Sequence, residues 1–258
     1  MKIATWNVNS LNVRLPHVVQ WLASSAVDVL CLQELKMDQE AFPLSTIEQS
    51  GYRAFWFGQK TYNGVAILVK DGLRVEDVIN GIPDYDDPQR RVIAATVEDV
   101  RVICGYFVNG EAVGSDKYAY KLDWLARLEA YVAQSLERWP SLALLGDYNI
   151  APDDRDVYDA EAWKDKVLCS EPERAAFRRL IGMGLTDSFR LFNAEDKQYS
   201  WWDYRAAMFR RNLGLRIDHI LVSDPLKERA AHCEIDKAPR KWERPSDHTP
   251  VVLTLKPA

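Results

Sequence analysis

Short apolar segments of strand length recur along this chain, and their spacing constrains the fold more than any other feature of the sequence. Most are rich in Val, Ile and aromatic residues and are bounded by Gly, Asp, Asn or Pro, as β-strands are. They predict strands at residues 2–8, 27–33, 53–57, 64–69, 92–97, 100–107, 142–145, 216–222 and 251–255. Apolar residues at helical spacing predict helices at residues 15–22, at 122–136 and after Pro172. Strands interspersed with helices predict an α/β or α+β layered fold in one domain, residues 1–258.

The formal net charge of −5 argues against a generic nucleic-acid coat protein, because phosphate binding favours basic surfaces. It does not exclude a nuclease, since carboxylates that hold a divalent cation make a protein acidic, and the bound metal still attracts phosphate. A local stripe of basic residues can also guide DNA on an acidic protein. Basic residues cluster in this way at Arg90, Arg91, Arg205, Arg210, Arg211 and Arg216.

The cysteines indicate an intracellular protein. Cys31, Cys104, Cys169 and Cys233 share no CxxC spacing, which favours reduced core thiols over disulfides or a zinc site. The first residues of the chain turn polar too soon for a signal peptide, and no apolar run approaches the ~20 residues of a membrane span. We therefore expect a soluble, cytoplasmic protein that binds no membrane. Since the sequence gives no sign of oligomerisation, we expect a monomer.

Polar residues suited to metal or phosphate chemistry follow several of the predicted strands. Strand ends are where a rigid scaffold presents functional groups, and carboxylate and carboxamide oxygens are the ligands that Mg²⁺ prefers. Taken singly, each residue is more simply explained as a solvated strand end or a turn. Together they supply what phosphodiester hydrolysis needs: charge neutralisation, an oriented water and a donor beside the developing charge. The set is Asn7, Asn9, Glu34, Tyr106, Asn109, Asp147, Asn149, Asp218, Asp247 and His248.

The segments around these residues resemble the motifs of the exonuclease III and AP endonuclease family, part of the endonuclease/exonuclease/phosphatase superfamily that includes DNase I. In chain order they read IATWNVNSL (3–11), LQELK (32–36), YNGVA (62–66), GYFVNG (105–110), LGDYNIAP (145–152), GLRID (214–218) and PSDHTP (245–250). The resemblance covers essentially the whole chain. It implies a DNase I-like four-layer sandwich of two packed mixed β-sheets flanked by helices. It also implies a Mg²⁺-dependent phosphodiesterase of base excision repair, in which Mn²⁺ can substitute.

The resemblance further implies how the metal and the attacking water are held. Glu34 would be the principal Mg²⁺ ligand, and Asn7 and Asp247 would assist it directly or through water. Asp147 would position or deprotonate the attacking water, and Asn149 would orient that water. The general base stays open at this point, because a carboxylate and an Asp–His pair could both serve.

Contacts with the scissile phosphate are implied for a second group of residues. His248, held by Asp247, would contact the phosphate and stabilise the charge of the transition state. Asp218 would support this network. Phosphate contacts or assistance to the leaving oxygen are implied for Tyr106, Asn109 and Lys117.

The resemblance implies DNA contacts beyond the catalytic centre. Trp201, Leu215 and Ile217 stand at the positions of an apolar pocket that receives an extruded abasic sugar. Without the family context, Trp201 would be read as a packing residue. Basic residues near the pocket would grip backbone phosphates. These residues are Arg90, Arg205, Arg210 and Arg211.

Leu168 departs from the family pattern, because a small residue, commonly Gly, occupies this position in a loop close to the DNA. The loop 165–170 also looks shorter than in the standard enzymes, and Val108 replaces a common Pro. A bulky side chain at 168 would obstruct continuous duplex while tolerating a strand end. Our hypothesis is that 3′-end processing, as exonuclease and 3′-phosphatase, exceeds incision 5′ to internal abasic sites. The expected partner is duplex DNA with nicks, 3′ ends or abasic sites.

Two alternatives remain. One is another phosphodiesterase of the same superfamily, acting on RNA or on a phospholipid. The other is a catalytically silent relative that only binds nucleic acid, although such a protein would be expected to lose metal ligands or the Asp–His pair. A panel of substrates distinguishes a DNA nuclease from the first alternative. Loss of strand scission or phosphate release in a Glu34→Gln variant would exclude the second.

Overall fold

Two six-stranded β-sheets form the centre of the protein, in a computed structural model that describes residues 1–258. In the first sheet the strands run from edge to edge as β11 (Ala230–Ile235), β12 (Val251–Leu255), β1 (Lys2–Asn7), β2 (Val29–Gln33), β4 (Val65–Lys70) and β3 (Tyr52–Phe57). In the second they run as β5 (Val75–Asn80), β6 (Val92–Val97), β7 (Val100–Tyr106), β8 (Leu142–Asp147), β10 (Asp218–Val222) and β9 (Thr186–Asp187). Both sheets are mixed, since β1–β2 and β7–β8 are parallel pairs among antiparallel neighbours.

Helices cover the outer faces of the sheets. The helices are α1 (Leu11–Ser25), α2 (Leu44–Gln49), α3 (Asp116–Arg138), α4 (Ala160–Trp163), α5 (Glu171–Gly182), α6 (Ser188–Phe192) and α7 (Asp224–Arg229). The two long connections, α1 and α3, link the two parallel strand pairs, because parallel neighbours need a crossover. Serine hydroxyls cap both helices: Ser10 accepts from the backbone N–H of Val13, and Ser115 from that of Tyr118.

The layers follow from the alternation of side chains along each strand. In β1, Ile3 points into a core of 22 buried residues between the sheets, while Ala4 points into a core of 18 residues beneath α1. In β8, Leu145 faces the inter-sheet core, and Leu144 faces a core of 19 residues beneath α3 and α5. The result is helix, sheet, sheet, helix, and the predicted DNase I-like four-layer sandwich is confirmed.

The strands missed by the sequence analysis, β5, β9 and β11, lie at sheet edges. β5 and β11 have a single buried residue between them, so the apolar alternation that marks a half-buried strand is absent. β9 has only two residues. No helix in the structure combines the length and the apolar character that crossing a membrane requires.

Candidate active site

Strand ends from both sheets converge at one end of the sandwich. Asn7 is the last residue of β1 and pairs with Gln33 at the end of β2, directly before Glu34. In the other sheet, Asp147 ends β8 and is flanked in register by Tyr106 on β7 and Asp218 on β10. Because the two sheets face each other across the inter-sheet core, their terminal polar residues meet at its rim.

Asn7 connects the two sheets chemically. Its side-chain nitrogen donates to Glu34 Oε1 at 2.9 Å and to Asp147 Oδ2 at 2.9 Å. Its side-chain oxygen accepts from the backbone N–H of Asn9 at 2.9 Å. The Tyr106 hydroxyl donates to the same Glu34 oxygen at 2.9 Å. Asn7 and Tyr106 therefore orient the carboxylates of Glu34 and Asp147.

His248 is held by Asp218, and this corrects the expectation that Asp247 holds it. The distance from His248 Nδ1 to Asp218 Oδ2 is 2.8 Å. The other ring nitrogen, Nε2, lies 3.5 Å from Asp147 Oδ2. Asp218 in turn accepts from the Ser200 hydroxyl at 2.7 Å. The imidazole is thus fixed at one nitrogen and free to act at the other.

Asp247 lies beside the site with other partners. Its Oδ2 accepts from the indole nitrogen of Trp201 at 3.0 Å, and its Oδ1 from the side-chain nitrogen of Asn9 at 3.3 Å. Asp247 lies next to His248 in the chain, but its carboxylate is bonded to Trp201 and Asn9 rather than to the imidazole. Asp247 positions Trp201 in this structure.

Burial shifts the protonation equilibria of the central groups. Burial raises the pKa of the Asp147 carboxyl to about 7; Asp218 adds to this rise, while His248 opposes it. Burial lowers the pKa of His248, but Asp218 and Asp147 outweigh it, so this pKa lies well above its ordinary value. Burial and the neighbouring Glu34 raise the pKa of Tyr106. The Asp147–His248 pair can therefore hold or release a proton near neutral pH.

The donor set fits a divalent cation. One ligand atom each from Glu34, Asp147 and His248 lies within 4.8 Å of the others. Two of the three are carboxylates, which suits Mg²⁺ or Mn²⁺ better than a soft metal. Asp247, predicted as an auxiliary ligand, is not a member of this group.

Two carboxamides flank Asp147 on the side away from Glu34. The backbone N–H of Asn149 donates to Asp147 Oδ1 at 2.9 Å, and the Asn149 side-chain nitrogen donates to the carbonyl of Phe107 at 2.9 Å. The side-chain nitrogen of Asn109 lies 3.4 Å from the Asn149 side-chain oxygen. The structure thus brings Asn109 and Asn149 together beside Asp147.

The predicted pocket residues are neighbours in the structure. Leu215 and Ile217 are fully buried, Trp201 is half-buried, and Trp201 forms backbone bridges to Leu215 and His248. Leu168 belongs to the same apolar cluster and is only 5% exposed. The side chain of Leu168 is therefore packed inward among these residues, and its obstruction of a duplex stays a prediction. Its backbone has a φ of 76°, a conformation that favours glycine.

The residues expected to grip DNA are more dispersed. Arg90 donates to the carbonyl of Gly58 at 2.6 Å and lies over the Phe57 ring, so it is tied into the fold. Lys117 is 70% exposed beside Glu111, at a cleft of about 580 Å³ that also contains Tyr106 and Asn109. Arg205 and Arg210 are exposed beyond Trp201, and the Arg205 side chain pairs with Asp203 at 2.7 Å.

Ser200 and Lys121 also serve this site, although the sequence analysis did not single them out. Ser200 bonds Asp218 and precedes Trp201. Lys121 is fully buried beneath Asn109 and Asn149. The one available signal for Lys121 was a lysine next to the apolar stripe of a predicted helix, where a solvated position is the usual interpretation.

Comparisons with known proteins agree with this geometry. A family model described as the endonuclease/exonuclease/phosphatase family matches residues 4–248. The chain is 40% identical to exodeoxyribonuclease III of Haemophilus influenzae, over 99% of this chain and 100% of that protein.

Solved structures give the same result. A structure described as a 3′-5′ exonuclease (NExo) from Neisseria meningitidis is 52% identical with a TM-score of 0.97, covering 99% of this chain and 100% of that one. An AP endonuclease from Archaeoglobus fulgidus is 36% identical with a TM-score of 0.94, covering 99% of both chains. The resemblance inferred from the sequence is confirmed: the chain belongs to the endonuclease/exonuclease/phosphatase family, and within it to the exonuclease III and AP endonuclease type.

Proposed function

We propose that this protein is a Mg²⁺-dependent DNA phosphodiesterase that processes 3′ ends and cuts beside abasic sites. The observation that carries the proposal is the junction of Glu34, Asp147 and the Asp218-held His248 at the rim between the sheets. Phosphodiester hydrolysis needs carboxylates that bind a metal, a carboxylate that activates water and a donor, here an imidazole, that stabilises the phosphate charge. The relatives described as exodeoxyribonuclease III and as 3′-5′ exonuclease support DNA as the substrate.

Residue roles follow from the contacts. Glu34 and Asp147 would hold Mg²⁺, which supplies charge neutralisation at the phosphate. Asp147, whose carboxylate lies beside the metal position, takes the proton of the water that attacks phosphorus. Asn149 orients that water through its place beside Asp147. As the bond from phosphorus to the leaving oxygen breaks, His248 Nε2 donates to the oxygen that gains charge, and Asp218 stabilises the imidazolium.

Tyr106, Asn109 and Lys117 line one cleft, and Tyr106 connects it to Glu34. Tyr106 orients Glu34 and, with Asn109, lines the cleft of about 580 Å³ next to the metal position. We infer that this cleft receives the strand on the side of the leaving oxygen. Lys117 at its mouth contributes a mobile positive charge for a backbone phosphate.

Leu168 supports a preference for 3′ ends. Its side chain shares the buried cluster of Leu215 and Ile217, so an extruded abasic sugar would have to displace it. A 3′-phosphate or a terminal nucleotide at a nick needs no such extrusion. One related structure is described as a 3′ phosphatase from Neisseria bound to a product DNA hairpin. We therefore propose that 3′-phosphatase and exonuclease activities exceed internal abasic-site incision, in a monomeric cytoplasmic enzyme.

One substrate panel tests the function. The wild type, with Mg²⁺ and with a chelator, is given a duplex with a nick carrying a 3′-phosphate, a duplex with one internal abasic analogue, single-stranded RNA and a phospholipid. We expect metal-dependent release at the nick, weaker internal incision, and no turnover of RNA or lipid. Glu34→Gln should abolish turnover. Absence of metal-dependent cleavage of both DNA substrates would reject the proposal.

Leu168→Gly tests the substrate preference separately. Removal of the side chain opens the pocket and relieves a backbone conformation that suits glycine. We expect incision at the internal abasic site to rise while phosphate release at the nick stays unchanged. Unchanged internal incision in a folded variant would show that Leu168 does not set the preference.

A further inference from the structure

Lys121 places a full positive charge beneath the site. The residue lies in α3 with a fully buried side chain. Its ammonium donates to the backbone carbonyl of Asn109 at 3.1 Å and to that of Asn149 at 2.7 Å, and it pairs with Glu173. An ammonium has three protons to donate, and each has an acceptor here. Two of these acceptors belong to the residues whose carboxamides meet beside Asp147.

Glu173 extends this arrangement toward the pocket. It lies fully buried in the first turn of α5. Besides Lys121, its carboxylate accepts from the backbone N–H of Leu168 at 2.9 Å, the backbone N–H of Ser170 at 3.2 Å and the Ser170 hydroxyl. Leu168 is the residue whose side chain fills the pocket cluster. One buried ion pair therefore contacts both carboxamide loops and the segment that closes the pocket.

The two helices do not depend on this pair to stay together. Leu128 of α3 and Phe177 of α5 belong to one apolar core. Arg179 of α5 also pairs with Glu129 of α3 at 2.8 Å, at a position that touches neither carboxamide loop. A buried ion pair costs desolvation free energy and is often replaceable by apolar residues without loss of stability. Glu173 also completes the capping box of α5 with Ser170, but neither helix capping nor helix packing requires the bonds from Lys121 to the two carboxamide loops.

We propose that Lys121 and Glu173 form a positioning unit, in which Lys121 fixes the loops of Asn109 and Asn149 and Glu173 fixes the backbone of Leu168. The same ion pair then governs the alignment of water and phosphate and the closure of the sugar pocket. This inference rests on the proposed function, because the loops matter only if they hold water and phosphate. Lys121 and Glu173 touch no substrate themselves and act through the residues they hold.

The main test replaces the pair while keeping the interior neutral. In Lys121→Met/Glu173→Gln no uncompensated charge is left buried, so the fold should persist. We expect kcat for phosphate release at a nick to fall about 100-fold, the effect of misplacing reacting groups by about 1 Å, with KM close to that of the wild type. The matched control, Glu129→Gln, disturbs the ion pair between the same helices and should keep the wild-type kcat. A folded double variant with wild-type kcat would overturn the proposal.

Glu173→Asp tests the pocket half of the proposal with a milder change. The shorter side chain keeps a negative charge near Lys121 but withdraws Oε1, which accepts from both Lys121 and the N–H of Leu168. A weaker hold on Lys121 lowers both activities alike and therefore cancels in their ratio. We expect the ratio of internal abasic incision to 3′-phosphate release to rise, because Leu168 is freed. An unchanged ratio contradicts the link between Glu173 and pocket closure.

Hydrogen–deuterium exchange separates this inference from the proposed function, since it needs no DNA. In Lys121→Met/Glu173→Gln, amides in the segments 107–110, 149–151 and 166–170 should exchange faster than in the wild type, and in Glu129→Gln they should not. If the wild type fails to cleave DNA but shows this pattern, the proposed function fails and the positioning unit stands. Exchange at wild-type rates in all three segments refutes the positioning unit whatever the activity.

Discussion

His219 gives a stability prediction whose magnitude can be worked from the structure. It follows Asp218 in β10 and points to the opposite face of the sheet, between Tyr148 and Phe177. One ring nitrogen, Nε2, lies 2.8 Å from the carbonyl of Ile150, and the other, Nδ1, lies 3.2 Å from an Arg216 nitrogen. Burial and the positive charge of Arg216 lower the pKa of His219 to about 4. The folded protein therefore keeps this imidazole neutral.

The direction in which pH changes the stability follows from how the folded and the unfolded chain bind a proton at His219. An unfolded chain takes up a proton at His219 below a pKa of about 6.5, whereas the folded chain resists it until about 4. The contribution of His219 to the unfolding free energy is thus fully present above pH 6.5 and is lost as the pH drops toward 4. With about 1.4 kcal/mol per pKa unit, this single group should remove roughly 3 kcal/mol of unfolding free energy over that window.

His219→Gln isolates the effect, since Gln offers a donor to Ile150 and an acceptor to Arg216 but does not titrate. Unfolding free energies are measured by urea denaturation, with chelator, at several pH values between 4 and 7.5. We expect the wild type to lose roughly 3 kcal/mol more than the variant as the pH falls. Carboxylates titrate in both proteins and cancel in the comparison. Parallel pH profiles for the two proteins would refute the reasoning.

Two further predictions concern the site. Ser200→Ala removes one donor to Asp218, and we expect kcat to fall about tenfold, the equivalent of one hydrogen bond of about 1.4 kcal/mol. Ser200→Thr keeps the hydroxyl and should keep most of the activity. Equal kcat in the wild type and in Ser200→Ala would contradict this role of Ser200. Mg²⁺ affinity, measured by calorimetry, should increase as the pH rises through about 7, because the Asp147 carboxyl must lose its proton to bind a cation. A pH-independent affinity between 6 and 8 would show that Asp147 does not bind the metal.

The buried strands and the long helices could be predicted because burial leaves a periodic mark in the sequence. β4 and β8, whose residues are nearly all buried, appear as continuous apolar runs. β5 and β11 lack such a mark, because each pairs on one side only and the two strands have a single buried residue between them. The positions of edge strands are set by the sheets they join rather than by their own residues.

The composition of the site could be predicted, but its pairings could not. The polar residues that follow successive predicted strands indicated which side chains converge, and the structure brings Glu34, Asp147 and His248 together. Proximity in sequence suggested that Asp247 holds His248, whereas Asp218, the first residue of β10, holds it. The partner of a side chain depends on how distant parts of the chain pack against one another, and nearness in sequence does not reveal it.

The pairing of β1 with β12 has a consequence for how the protein is made. β1 is synthesised first and β12 last, and the two are adjacent in the sheet, with Lys2 opposite Thr254. Until β12 has been made, β1 presents an unpaired edge on that side, the kind of surface that invites aggregation. His248 lies just ahead of β12, so the same late segment closes the edge and delivers the imidazole. A nascent chain therefore has an open sheet edge, and it lacks His248 beside Asp218 and Asp147, until the segment that leads into β12 has been made.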